Sequence, residues 1–461
     1  LISISIDMSD VRQLSCDYLV IGAGAMGLAF VDTLLSENRS VRILIADKQA
    51  APGGHWLSAY PYVKLHQPSH FYGVPSLKLE TDETARWDNL AELASGQEVV
   101  AYFAKVMRRF LATDRVHYLS MCEWDGFLLR SLVDEMSWEV NVLKKIVDAT
   151  YMKVEVPLAR PPPFTVEDAV VIPPNQLPVV TTRPRFVVIG AGKTAVDAVL
   201  WLLDRVDPMR ITWIMPRDAW LLMREVIQPD TILQFVKLVV GSVSRVASLQ
   251  ECMNKGERIG LLDRLDKSVE PTAFRCATVT RAEVNELRRV TKIVRLGHVT
   301  SIRGSVVQLE MGDLEVDLGT VFVDCTADGL AKRGAVPIFE SRKIVLQSVS
   351  MCQQVFSASA IAKVESLAVD EAMKNHLLHS VPHPDRPIDF LDTVAVTIRN
   401  GEELVKHGLG GWLRSNRLFY GSHPGLLKML WNFPLLLRVR QARADVEQLC
   451  KQLGHGAVAK M

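Results

Sequence analysis

The chain has 461 residues, of which 48% are hydrophobic, and this length can bury a large core in two or three domains. Lys and Arg number 53 and Asp and Glu number 52, so the formal net charge of +1 gives no excess of cations for binding nucleic acid. An anionic ligand must therefore be held by local groups rather than by the field of the whole protein.

The seven cysteines are scattered, without a Cys-x-x-Cys pair or a zinc-type spacing. This pattern indicates a reduced protein, and residues 1–10 do not resemble a signal peptide, so we expect a cytoplasmic location. No uninterrupted apolar stretch is long enough to span a membrane. The segment 426–439 comes closest and favours a buried C-terminal helix, with a peripheral membrane contact or a subunit interface as alternatives.

The first structural unit predicted from hydrophobic periodicity is a strand at 17–21, a helix through 28–35 and a second strand at 41–46. The turn before the helix reads Gly-Ala-Gly-Ala-Met-Gly, a dinucleotide-binding fingerprint in the context that it requires. Its first glycine permits a tight turn, the second lets the backbone approach a pyrophosphate, and the third allows close helix packing. The predicted contacts in this turn are Gly22, Gly24, Ala25, Met26 and Gly27.

An acidic residue ends the second strand. Asp47 follows Gly27 by about 20 residues, a spacing at which a carboxylate accepts hydrogen bonds from the ribose hydroxyls of a dinucleotide. We include Asp47 and the adjacent Lys48 among the predicted cofactor-binding residues. Further along, the pattern predicts a helix at 96–112, a strand of a small sheet at 140–150 and a proline-rich domain junction at 157–184.

A second strand, turn, helix and strand follow over 185–215. The turn repeats the fingerprint with alanine in the third glycine position, and the nucleotide contacts predicted there are Gly190, Gly192, Lys193 and Thr194. Valine at 187 occupies the place of the first glycine of an NTPase phosphate-binding loop, which excludes that reading of the Gly-Lys-Thr sequence.

The second strand of this unit is followed by a cation instead of an acid. Arg217 lies where a ribose 2′-phosphate would bind, which favours NADPH over NADH; a solvated charge paired with Asp218 is the alternative. Two nucleotide sites in one chain imply electron transfer between nucleotides. The first site would then hold a flavin, FAD.

The remaining pattern is helical and irregular over 225–292, with no chemistry assigned to 250–267, then strands over 293–316 and 320–323, and helices with loops beyond. Three histidines fall in a proline-rich turn without an acid or cysteine at ligand spacing, so we predict no metal site there: His376, His379 and His383. A redox pair of Cys325 and Cys352 is disfavoured by their separation.

Several short motifs within residues 15–330 resemble those of the class B flavin-dependent monooxygenases, the flavin-containing and Baeyer–Villiger enzymes. The residues 51–56, Ala-Pro-Gly-Gly-His-Trp, are similar to the Gly-Gly-x-Trp segment that covers the flavin in that group, and this resemblance adds Gly54, His55 and Trp56 to the cofactor-binding residues. The other similar segments are Tyr-Pro at 60–61, the strand ends 148–151 and 324–329, the second fingerprint at 190–197, and Arg217 with Trp220.

The resemblance implies an α/β fold with two Rossmann-like dinucleotide-binding domains, the NADPH domain being inserted into the FAD domain. The first part of the FAD-binding domain would be residues 11–156. The NADPH-binding domain with a helical insert would be 157–319, and the second part of the FAD domain with a C-terminal helical region would be 320–461.

The resemblance also implies a function. NADPH would reduce FAD, oxygen would add at the flavin C4a position, and the hydroperoxide would oxygenate a small organic substrate. His66 and Gln67, where Baeyer–Villiger enzymes present an Asp near the flavin, are the candidate catalytic residues; alternatively, His66 caps a loop against Tyr60 or Tyr72.

The Phe-x-Gly-x-x-x-His signature of that group is absent from 161–178. Two alternatives therefore remain open: a flavin dehydrogenase or oxidase that does not insert oxygen, and a nucleotide-sensing flavoprotein without turnover.

Overall fold

The computed structural model describes residues 11–79, 86–87, 90–180, 182–327, 333–381, 383–421 and 433–454. Its strands are β1 (Val11–Ile21), β2 (Ile43–Ala46), β3 (Arg86–Trp87), β4 (Leu90–Ala91), β5 (Val116–Leu119), β6 (Cys122–Trp124), β7 (Leu128–Ser131), β8 (Ser137–Asp148), β9 (Thr165–Glu167), β10 (Val170–Ile172), β11 (Phe186–Ile189), β12 (Ile211–Ile214), β13 (Ala219–Met223), β14 (Leu262–Arg264), β15 (Ala273–Val279), β16 (Lys292–Val294), β17 (Val299–Arg303), β18 (Val306–Leu309), β19 (Gly312–Glu315), β20 (Val321–Asp324) and β21 (Lys343–Val345).

The α-helices of the described residues vary in length from 6 to 20 residues. They are α1 (Ala25–Glu37), α2 (Gly96–Leu111), α3 (Lys193–Leu203), α4 (Ile232–Val243), α5 (Leu249–Arg258), α6 (Arg281–Leu287), α7 (Gln354–Glu365), α8 (Glu371–Leu377), α9 (Pro387–Lys406), α10 (Gly410–Ser415) and α11 (Phe433–Gln452).

A seven-stranded sheet contains the first predicted unit. β1 lies between β2 and β8, β5 pairs with the far side of β2, and β21 pairs with the carboxyl half of β8, all in parallel. The hairpin β6–β7 completes the sheet. The four residues of β2 are all buried, as expected of a parallel strand covered on both faces.

A second sheet is parallel throughout, in the order β10-β20-β11-β12-β16. All of its strands lie between β8 and β21 in the sequence, so the chain leaves the first sheet, builds the second and returns. A three-stranded sheet, β14-β13-β15, and a four-stranded sheet, β19-β18-β17-β9, belong to the same intervening segment.

The structure differs from the sequence predictions in three places. The strand predicted at 140–150 in a small sheet is β8, which pairs with β1 in the main sheet. The region 225–292 contains β14 and β15 besides helices, and the proline-rich stretch contributes β9 and β10. Each of these short strands is paired with residues far away in the sequence, which local periodicity does not reveal.

No helix within the described part of the chain is long and apolar enough to cross a membrane. Residues 422–432 lie outside the described residues, and the first half of the predicted helical segment 426–439 falls there. The structure describes this segment only from Phe433, where α11 begins.

A buried ion cluster joins the first sheet to the helices that cover it. The Glu365 carboxylate, 4% exposed on α7, accepts hydrogen bonds from the Tyr18 hydroxyl (2.9 Å), Lys145 Nζ (3.1 Å) and Lys374 Nζ (2.8 Å). Lys145 and Lys374 are also nearly inaccessible to solvent, and Glu371 shares both of them. Removing the central carboxylate would leave two buried ammonium groups with one partly exposed partner.

We predict that Glu365→Ala lowers the free energy of unfolding by about 3–5 kcal/mol, the usual cost of leaving a buried charge without its partner. Chemical denaturation followed by circular dichroism measures this change. Glu123→Ala is the control, because it breaks the exposed pair with Lys48 and should cost less than about 1 kcal/mol. Equal losses in the two variants would contradict the structural role given to Glu365.

Candidate functional site

The register of the first sheet brings its loops to one edge. Ile21 is level with Ala46 and with Asp148, and Val345 is level with Asp148 as well. Because all four strands run in parallel, the residues that follow them meet at the carboxyl edge, where open α/β sheets bind their ligands. The first glycine-rich turn, Asp47 and the loop before α7 therefore line the same crevice.

Close packing explains the glycines of the first turn. Gly22 has a φ of +107°, in the region that favours glycine, and a Cβ on Gly27 would stand 2.1 Å from the Gly22 carbonyl oxygen. Gly24 is the N-cap of α1 and provides no side-chain cap, so the first N–H groups of the helix remain available to an anion. Ala25 and Met26 form the first turn of that helix.

Asp47 holds the first turn in place. One carboxylate oxygen accepts the Ala23 N–H (2.5 Å) and the other accepts the Gln49 N–H (2.7 Å), which leaves lone pairs for ribose hydroxyls. Nearby on β5, the Tyr118 hydroxyl is buried and has no hydrogen-bond partner in the described part of the chain. Burial and the charge of Asp47 raise the pKa of Tyr118. A buried hydroxyl without a partner near Asp47 fits a bound dinucleotide.

The segment after β2 folds onto the first turn. The Gly53 N–H donates to the Ala23 carbonyl (3.0 Å), and a Cβ on Gly54 would stand 3.1 Å from Gly24 Cα. Trp56 Nε1 donates to the Tyr72 hydroxyl (2.7 Å).

His55 and Lys48, the other two residues predicted around this segment, have different environments. The His55 ring lies 5.1 Å from the Trp56 ring, and burial lowers the pKa of His55 to about 4. The Lys48 side chain is instead 63% exposed and pairs with Glu123 at 2.6 Å. His55 is therefore neutral near pH 7, and Lys48 is held at the surface.

The second glycine-rich turn has the same construction in the second sheet. Gly190 has a φ of +125°, and a Cβ there would stand 2.7 Å from the Cys325 carbonyl oxygen. A Cβ on Gly192 would meet nothing within 4 Å, so the backbone faces open space. Gly192 is the N-cap of α3 without a side-chain cap, and Lys193 and Thr194 begin the helix, an arrangement that fits a phosphate group.

A polar chain connects the two halves of the site. The Tyr60 hydroxyl donates to one oxygen of Asp197 on α3 (2.6 Å), and Lys193 Nζ forms an ion pair with the other. Burial and the charge of Asp197 raise the pKa of Tyr60 well above its usual value. The neighbouring Tyr62 ring packs between the rings of Tyr60 (4.8 Å) and Trp201 (5.3 Å). The segment 60–62 is thus fixed against the helix of the second nucleotide motif.

His66 contacts β15 of the three-stranded sheet. Its Nδ1 is 3.2 Å from the Thr278 hydroxyl, which also donates to the His66 carbonyl, so Thr278 is the partner rather than Tyr60 or Tyr72. Burial lowers the pKa of His66 to about 3, and the charges of Lys193 and Arg224 act in the same direction. The imidazole is therefore neutral at physiological pH, where it can hydrogen bond but does not titrate.

Gln67, the second candidate catalytic residue, is partly buried. Its Oε1 accepts a hydrogen bond from the Tyr420 hydroxyl (2.7 Å). Tyr420 belongs to the loop after α10, so the C-terminal region contributes to the site beside Gln67.

Arg217 lies at the carboxyl edge of the second sheet, but its partner is not the predicted one. The guanidinium forms a bidentate pair with Asp385 (2.8 and 3.1 Å), while Asp218 pairs with Arg295 (2.7 Å). The alternative pairing of Arg217 with Asp218 is therefore wrong. Trp220, the second residue of the segment that resembles the NADPH segment of the monooxygenases, is fully buried. The guanidinium of Arg264 lies over its ring.

Sequence reasoning did not list several polar residues of the site as contacts: Tyr118, Asp197, Arg275, Thr278 and Asp385. A signal existed for Asp197, the last residue of the second fingerprint, and for Tyr118, whose strand β5 pairs with β2 just before Asp47. The others reach the site through contacts between segments far apart in the sequence.

The cysteines correct the expectation of a fully reduced protein. Cys276 on β15 and Cys352 in the loop before α7 form a disulfide, with their Cα atoms 6.6 Å apart. Cys325, the partner considered for Cys352, is buried and free. The bridge was missed because 76 residues separate the two cysteines, and only the tertiary fold brings them together.

The three histidines 376, 379 and 383 have no metal-binding arrangement in the structure. His376 Nε2 lies 3.3 Å from Glu403, and burial lowers the pKa of His379 to about 4. Within the described ranges, no group of three or more potential ligands is arranged to hold a metal ion.

Comparison with known proteins identifies close relatives by sequence. Uncharacterized protein Rv2000 of Mycobacterium tuberculosis (strain ATCC 25618 / H37Rv) is 42% identical over 419 residues, which is 88% of this chain and 78% of that protein. Uncharacterized protein Mb2023 of Mycobacterium bovis (strain ATCC BAA-935 / AF2122/97) has the same identity and coverage. The chain belongs to the same family as these mycobacterial proteins. No family model matches its sequence.

Solved structures show the fold. The closed crystal structure of cyclohexanone monooxygenase aligns with a TM-score of 0.50 and 13% identity, over 96% of this chain and 98% of that one. Polycyclic ketone monooxygenase from the thermophilic fungus Thermothelomyces thermophila aligns with a TM-score of 0.51 and 12% identity, over 99% of this chain and 90% of that one. The chain therefore has the fold of the class B flavoprotein monooxygenases with a divergent sequence, which confirms the resemblance carried by the motifs.

The disulfide determines how many cysteine thiols can react before and after reduction. Unfolded protein without reductant should show five reactive thiols, and reduction should expose all seven. Mass spectrometry after alkylation measures both numbers. Cys276→Ser should give one thiol more than the wild type before reduction, because Cys352 is released, whereas Cys325→Ser should give one fewer. Seven thiols before reduction would contradict the bridge.

Proposed function

We propose that this chain is an FAD-dependent, NADPH-using oxidoreductase, most closely a monooxygenase that oxygenates a small organic substrate. The observation that carries the proposal is the pair of glycine-rich turns at the carboxyl ends of parallel strands in two sheets, joined by the hydrogen bond between Tyr60 and Asp197. Two dinucleotides bound at these edges would meet between the sheets. The likeness to the fold of the class B monooxygenases supports this arrangement.

The first site would hold FAD. The turn from Gly22 to Gly27 and the helix that follows would bind the pyrophosphate, with Asp47 and Tyr118 on the adenosine ribose. Gly54, His55 and Trp56 would form the cover of this site, since the segment 53–54 packs directly on the turn. Bound FAD would supply the redox chemistry, taking a hydride from NADPH and passing electrons to oxygen.

The second site would hold NADPH. Gly190, Gly192, Lys193 and Thr194 would surround its pyrophosphate at the N terminus of α3, and Arg217 would contact the 2′-phosphate. We propose the same domain division as the sequence predicted, with the FAD domain formed by 11–156 and 320–461 and the NADPH domain by 157–319. A cytoplasmic location also remains a proposal.

His66 and Gln67 would act by hydrogen bonding and by excluding water from the reacting centre. Because the pKa of His66 is about 3, its ring would remain neutral and would not donate a proton as a cation. Thr278 fixes the orientation of His66, and Tyr420 fixes that of Gln67. Both side chains are thus pre-positioned by groups from other segments.

Rapid mixing of the NADPH-reduced protein with oxygen tests the proposed reaction. A long-lived absorbance species that differs from both reduced and oxidised flavin, followed by transfer of oxygen to a substrate, would support a monooxygenase. Direct return to the oxidised spectrum would instead indicate a dehydrogenase or oxidase. Failure of NADPH to bleach a bound flavin would favour a sensing role without turnover.

The unpartnered hydroxyl of Tyr118 gives a second test. We predict that Tyr118→Phe weakens FAD binding about 2- to 13-fold, the effect of one hydrogen bond worth about 0.5–1.5 kcal/mol. The apoprotein should be no less stable than the wild type, because the removed hydroxyl is buried without a partner. Fluorescence titration with FAD and thermal unfolding of the apoprotein measure the two effects. Unchanged affinity would place Tyr118 outside the site.

A further inference from the structure

Asp385 holds two arginines that come from separate elements. Its carboxylate accepts both terminal nitrogens of Arg217 (2.8 and 3.1 Å), and Arg275 Nε (2.8 Å) and one of its terminal nitrogens (2.7 Å) approach one of the same oxygens. All three side chains are between 22% and 33% exposed. Burial alone would raise the pKa of Asp385, but the hydrogen bonds and charges of the two arginines hold it well below its usual value.

The cluster of Asp385 with Arg217 and Arg275 lies beside the proposed nucleotide site of the second sheet. Arg217 follows β12, the second strand of the nucleotide-binding unit, at the carboxyl edge where a ribose 2′-phosphate would be recognised. Arg275 on β15 is brought to the same point because the N–H groups of Thr272 and Ala273 donate to the Asp218 carbonyl (3.1 and 3.0 Å). Two guanidinium groups around one anion form a typical phosphate-binding arrangement.

The chain at Asp385 is anchored independently of the carboxylate. Its carbonyl accepts the Phe274 N–H (3.0 Å), and its own N–H donates to Asp389 at the start of α9 (3.0 Å). The side chain can therefore rotate away from the arginines while the backbone stays in place. A phosphate could then take over the donors that the carboxylate now occupies.

We propose that Asp385 is a specificity-determining residue whose carboxylate occupies the place of a ribose 2′-phosphate between Arg217 and Arg275. This inference rests on the proposed binding of a nicotinamide dinucleotide at the second site. A nucleotide with a 2′-phosphate must displace Asp385, whereas one with a free 2′-hydroxyl leaves it in place. The preference of the wild-type protein for NADPH over NADH is consequently smaller than the two arginines would give without Asp385.

The test compares two nucleotide fragments by isothermal titration calorimetry on the FAD-loaded protein. The probes are 2′,5′-ADP, which carries the 2′-phosphate, and 5′-AMP, which lacks it. In Asp385→Asn, which keeps the shape and removes the charge, the ratio of the two dissociation constants should shift about tenfold in favour of 2′,5′-ADP. Asp385→Ser should shift it in the same direction, which guards against a folding defect in one variant.

Two further variants complete the experiment. Arg275→Gln should weaken binding of 2′,5′-ADP with little change for 5′-AMP. Glu139→Gln is the matched control, because it removes the same charge from an exposed pair with Gln13 near the amino end of β8, and its ratio should equal that of the wild type. Thermal unfolding of every variant confirms that it is folded.

The outcomes separate the two levels of the proposal. If Arg217→Gln and Arg275→Gln weaken 2′,5′-ADP but Asp385→Asn leaves the ratio unchanged or lowers it, the role of Asp385 is overturned and the nucleotide site stands. If 5′-AMP and 2′,5′-ADP bind to no variant, the proposed function of the second site fails as well. An equal gain for both fragments in Asp385→Asn would show a general charge effect and would also overturn the inference.

Discussion

Parallel pairing of β1 with both β2 and β8 is the constraint on which the rest of the structure depends. It forces the residues after Ile21, Ala46 and Asp148 to one edge of the sheet and so creates the crevice where the glycine-rich turn and Asp47 meet. The second sheet repeats the arrangement around β11. The chain thus has two sheets with similar carboxyl edges. Which ligand each edge can bind depends on the few side chains placed there.

The contact between the two edges is polar and specific. Tyr60 reaches Asp197 on α3, and His66 meets Thr278 on β15, so the chain that follows β2 is held by a helix of the second nucleotide-binding unit and by a strand of the three-stranded sheet. The Tyr62 ring packs on Trp201 and adds an aromatic contact to the same boundary.

Local patterns predicted the two strand-turn-helix-strand units, because their glycines, apolar periods and strand-end residues are adjacent in the sequence. The requirement for Gly27 could also be argued in advance, and the structure gives its cause in the Gly22 carbonyl. The strand β21 and the strands β13 to β15 could not be predicted, because they are short and depend on distant partners. The same limit applies to Asp385, which lies 168 residues from Arg217.

The disulfide between Cys276 and Cys352 has a topological consequence. The chain from β15 to the loop before α7 includes β20 of the second sheet and β21 of the first. The bridge therefore closes a covalent loop that contains the connection by which the chain returns from the second sheet to the first. The bridge ties β15 of the three-stranded sheet to the loop that follows β21 of the first sheet, and these two elements cannot separate while it is closed. A separation of the two nucleotide-binding units would therefore have to begin away from the bridge, at noncovalent contacts such as those of Tyr60 and Tyr62 with α3.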